Sequence, residues 1–78
     1  MLNVEIRDAD RVLDGQAQVE IICDEAGFVE LRRQLGFLEG GPNHVHLATP
    51  SWAGTELDED LQGERNVLVH QLTIYKIK

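Results

Sequence analysis

The chain has 78 residues, fourteen of them acidic and seven basic, for a formal net charge of −7, with 42% hydrophobic and 27% charged residues. That length sets one domain, residues 1–78, and the balance of apolar and charged residues excludes a disordered chain. The excess of acid argues against unassisted binding to nucleic acid or to an anionic membrane, because both begin with Lys and Arg neutralising phosphate.

Leu2 to Arg7 alternates apolar and polar residues, the period-two pattern of a half-buried strand. Asp14-Gly15 is a turn dipeptide, and Ala17 to Ile21 alternates again, which predicts two strands in a hairpin. Asp24 is placed as a helix N-cap with Glu25 in the first turn. Phe28, Leu31, Leu35 and Leu38 recur at helical spacing, Gly27 allows the helix to approach the sheet closely, and Gly40-Gly41-Pro42 ends it. His44 to Ala48 reads as a short strand, Thr49 to Asn66 as a long irregular loop, and Val67 to Ile77 as the last and longest strand.

The expected fold is therefore α+β, one helix packed on a mainly antiparallel four-stranded sheet in the order β-β-α-β-β. Alternation places Leu2, Val4, Ile6, Ala17, Val19, Ile21, Val45, Leu47, Leu68, Leu72 and Ile74 under the helix. Asn3, Glu5, Arg7, Gln18, Glu20, His44, His46, Gln71, Thr73 and Tyr75 fall on the other face, which one helix cannot cover. That face is expected to be open to water or to a partner.

Little in the chain points to catalysis. His44 and His46, at i and i+2 on a strand, would stand about 6–7 Å apart on one face, a workable spacing for metal, with Glu56 or His70 as a third ligand. The plainer reading is two solvated histidines, and neither a catalytic residue, a metal nor a cofactor is expected. His70 falls among apolar residues and needs a hydrogen-bond partner, which the long loop can supply. Cys23 precedes the N-cap without a neighbouring cation, as a small buried thiol would. As the single cysteine it forms no intrachain disulfide, and no leader or membrane-spanning run is evident, so the cytoplasm is the expected compartment.

Trp52, the single tryptophan, lies in the long loop with Glu56, Asp58, Glu59 and Asp60. It either folds back to cap a small core, the reading its size favours, or anchors a partner inside an acidic rim.

These segments resemble a known family. His44-Val45-His46-Leu47, then Thr49-Pro50-Ser51-Trp52-Ala53-Gly54-Thr55-Glu56-Leu57, then His70-Gln71-Leu72-Thr73-Ile74-Tyr75 are similar to the immunity protein 32 family of bacterial polymorphic toxin systems. Asp24 to Leu31, with Leu35, looks like that family's helix. The resemblance implies a protein that neutralises a cognate toxin by direct binding and has no catalytic activity. The net charge suits a basic toxin. The expected partner-binding residues are Trp52, Glu56, Asp58, Glu59, Asp60, His44 and His46. The alternatives are a structural domain that dimerises through the open face or the terminal strand, and a small metal-dependent enzyme built on His44, His46 and Glu56.

Overall fold

The structure, a computed structural model, describes residues 1–77. It is α+β, with strands β1 (Leu2–Arg7), β2 (Gln18–Cys23), β3 (His44–Ala48), β4 (Val67–Leu68) and β5 (Gln71–Tyr75), and one helix, α1 (Glu25–Gly36). Strands β1 and β2 form the expected antiparallel hairpin, with Leu2 opposite Cys23 and Arg7 opposite Gln18. Its connection winds into a 3-10 turn over Ala9–Asp14 that closes on Gly15 at φ 76°, a left-handed conformation that glycine adopts without strain.

Asp24 caps α1 as the sequence predicts: its Oδ1 accepts a hydrogen bond from the Gly27 amide at 2.9 Å. The buried stripe of the helix differs from the expected one. Gly27, Gln34 and, beyond the helix, Leu38 are buried and Leu31 is half-buried, whereas Phe28 and Leu35 are 48% and 43% exposed. Gly27 explains the rotation, since a Cβ there would overlap the Met1 carbonyl oxygen and crowd the Cys23 Cβ. Phe28 and Phe37 are instead covered by the guanidinium groups of Arg32 and Arg33, 5.7 and 5.3 Å from the ring centroids.

The single four-stranded sheet expected from the sequence does not form. The last strand breaks at Val69-His70 into β4 and β5, giving a three-stranded sheet in the order β2-β1-β4 and a two-stranded sheet of β3 and β5, both antiparallel. Two backbone bonds hold the break. The Val69 amide still donates to Val4 (2.8 Å), while the Thr49 amide donates to the His70 carbonyl (2.9 Å) and passes the chain on to β3.

The long loop fills the gap this creates. Leu57 donates its amide to Ala48, Asp58 donates to Leu2, and the Leu57 side chain, 2% exposed, joins the core of Leu2, Val4, Leu38, Val45 and Leu47.

Three expectations about faces are corrected. Leu68, expected under the helix, pairs with Glu5 and so shares the opposite face. Val19 and Ile21 are 64% and 47% exposed, because β2 lies at the edge of its sheet, where the helix covers it only near Cys23. Asn3 and Glu5, expected on the open face, are fully buried beneath the long loop. The polar face is open elsewhere, at Arg7 and Gln18 and at His46, Gln71 and Tyr75, which are exposed.

Candidate partner-binding site

The loop from Thr49 to Asn66 is fastened at almost every step. It begins with buried Thr49, whose Oγ1 shares a 2.7 Å hydrogen bond with His70 Nδ1 and whose carbonyl accepts from the Trp52 and Gly54 amides. Pro50 at the first position of the short 3-10 turn Pro50–Trp52 presets its backbone. Gly54 then lies so close to the Ala48 carbonyl that no side chain fits. The Glu56 carboxylate accepts the Ala48 amide at 3.1 Å. Asp58 clasps Leu2 twice, its amide donating to the Leu2 carbonyl and its carboxylate accepting the Leu2 amide, both at 2.8 Å. Glu59 accepts the Ser51 amide, and the Asp60 carbonyl accepts from Asn3 Nδ2 at 2.5 Å.

Glu5 fixes the second half of the loop from below. Its buried carboxylate accepts four hydrogen bonds: Oε2 from Asn3 Nδ2 and the Gln62 amide, Oε1 from the Gly63 amide and Asn66 Nδ2. Burial alone would raise its pKa. The hydrogen bonds from Asn3, Gln62, Asn66 and Gly63 outweigh that and hold it at about 2. Asn66 extends the network to Glu20 on β2 at 2.9 Å, and Arg7 pairs with the same carboxylate at 3.2 Å. Hydrogen bonds donated by Ser51 likewise lower the Glu59 pKa.

On this fastened loop Trp52 is 60% exposed. It does not cap the core as the size of the core favoured. Its indole stacks on the His70 ring, centroids 6.3 Å apart and planes 12° from parallel, so one face is backed and the other turned outward. His70 itself is half-buried, with Thr49 at the loop's start as its partner.

The expected acidic rim is only partly a rim. Glu56, Asp58 and Glu59 spend carboxylate oxygens on backbone amides, so their first task is to hold the loop. Glu59 is bonded to Ser51, the residue before Trp52. Asp60 anchors through its carbonyl and leaves its exposed side chain free of any hydrogen bond or ion pair among the described residues.

His44 and His46 belong to a separate group on the β3–β5 sheet. Their centroids are 4.8 Å apart, edge to face, with Tyr75 5.3 Å from His44. Their Nδ1 atoms engage Asn43 Oδ1 (2.7 Å) and Thr73 Oγ1 (2.8 Å) respectively. Among the described residues no third His, Cys, Asp or Glu joins them in a cluster that could hold a metal ion, and Glu56 faces Ala48 instead.

Glu5, Asn3, Asn66 and Leu57 escaped the sequence reading as functional supports. Strict alternation in β1 assigned Glu5 and Asn3 to water, and the one signal against it was the loop itself, whose many backbone amides needed acceptors. No protein-family model, curated protein or solved structure matches the chain.

Proposed function

We propose that this is a non-catalytic binding protein that neutralises a bacterial toxin by direct contact, with Trp52 as its anchor and a basic surface as its target. The observation that carries this reading is a 60% exposed tryptophan on a loop tied down by Glu5, Asp58, Glu56 and Glu59. Exposing an indole to water forgoes its burial, and fixing it in place lowers the entropy lost when a partner covers it. Tryptophan is among the residues that most often dominate binding energy.

The chemistry around it suits a cationic side chain. The outward indole face attracts an ammonium or guanidinium group, Glu59 stays ionised to lower pH than an ordinary glutamate, and the net charge of −7 steers a basic partner toward the molecule. Toxin neutralisation, rather than binding in general, follows from the resemblance of the His44–Leu57 and His70–Tyr75 segments to immunity protein 32 sequences. The encounter is placed in the cytoplasm on the strength of the single cysteine, and no helix among the described residues is long and apolar enough to cross a membrane.

The test is co-expression with the product of the adjacent gene, scoring both cell survival and co-purification at low salt. Survival together with a retained complex supports the reading. A product that kills cells in the presence of this protein and is not retained by it contradicts the reading.

A further inference from the structure

Among the described residues the outer edge of β2 pairs with nothing, since the sheet runs β2-β1-β4 and ends there. The strand is six residues long and in unbroken register with β1, and it contains no Pro, Lys or bulge to protect its edge. Val19 and Ile21, 64% and 47% exposed, project on the face of Ile6 and Val4, because directly paired residues share a face. The one charged side chain of the strand, Glu20, points to the other face and is engaged by Arg7 and Asn66.

This makes the edge locally neutral and apolar on an otherwise acidic molecule, and charge therefore selects between occupants. A basic partner is drawn to the unpaired acids elsewhere. A second copy of the chain, repelled over the rest of its surface by a like charge of −7, meets no opposing charge along this strand.

We propose that two copies of the chain associate by antiparallel pairing of their β2 strands about a two-fold axis at Ile21. In that register Ile21 faces its own copy, Val19 faces Cys23 and Glu20 faces Ile22, so no like charges oppose each other. An axis at Glu20 would set two carboxylates opposite one another, which is unfavourable. Pairing at Ile21 joins the two three-stranded sheets into one with both helices on the same side, and sets the exposed Val19 and Ile21 side chains of the two copies beside one another.

Light scattering after gel filtration, over a concentration series, reads the outcome. The wild-type protein is expected at the mass of two chains, dissociating on dilution. Ile21→Lys, which puts two ammonium groups across the axis, is expected to weaken the dimer by about tenfold or more. Leu13→Lys, at a 99% exposed position in the Ala9–Asp14 turn, is expected to leave it unchanged. A wild-type protein at single-chain mass throughout overturns the proposal, as does a dimer indifferent to Ile21→Lys. Val19→Cys tests the register independently of any folding defect in the lysine variant. Within one strand positions 19 and 23 lie about 13 Å apart, too far to bridge, so oxidation is expected to give a covalent dimer through Cys23 of the second copy. Failure to cross-link contradicts pairing at Ile21.

Discussion

Glu5 is a buried carboxylate without a cationic partner among the described residues, stabilised by four N–H donors from three segments of the chain. Glu5→Gln replaces one acceptor oxygen with a donor facing those N–H groups, and is expected to cost about 2–3 kcal/mol of stability. The same group gives a pH dependence of known sign. Its folded-state pKa of about 2 lies below the ordinary 4.5, so its contribution is complete above pH 4.5 and fades as pH falls toward 2. Thermal melts of wild type and Glu5→Gln should therefore differ most at neutral pH and converge in acid. A constant difference across that range would contradict the assignment. Trp52 has the opposite profile. Its removal in Trp52→Ala is expected to leave the melting temperature within a few degrees, since the ring is largely exposed, while weakening partner binding by about tenfold or more.

At the scale of elements, the long loop behaves as part of the core although it has no regular secondary structure beyond the 3-10 turn Pro50–Trp52. Leu57→Ala is expected to destabilise the protein by about 2–4 kcal/mol, as a substitution inside a strand would, and a denaturant midpoint close to wild type would show the loop to be dispensable. Helix propensity favours Gly27→Ala by about 1 kcal/mol, yet the added Cβ would meet the Met1 carbonyl, so a lowered midpoint is expected. The sequence marked the hairpin, the Asp24 cap, the end of the helix and β3 because each has a local cause in alternation, capping or glycine chemistry. It marked the close approach at Gly27 but not that this approach turns Phe28 and Leu35 outward, and it did not mark the break at Val69-His70. Both depend on contacts between segments far apart in the chain, Thr49 with His70 and the helix with Met1. Trp52 was legible as a candidate, but its exposure was not. The loop's anchoring by Glu5 and Asp58, rather than by the indole, leaves the ring free to face outward.

At the scale of the molecule, only six hydrophobic side chains are buried among the described residues, and much of the cohesion comes from the polar fastening of one loop. Such a construction suits an acidic scaffold that presents a fixed surface. Its charge should govern how fast a basic partner arrives, so added salt is expected to slow association far more than it speeds dissociation. The most direct measurement follows Trp52 emission, the only tryptophan signal in the protein. A tryptophan-free form of the adjacent gene's product is titrated in at low and high salt, and its binding to Trp52→Ala is measured by calorimetry for comparison. The account predicts a blue shift as the exposed indole is covered, affinity reduced by salt, and weakened binding by the variant. Tight binding with unchanged Trp52 emission, and equally tight binding by Trp52→Ala, would contradict it.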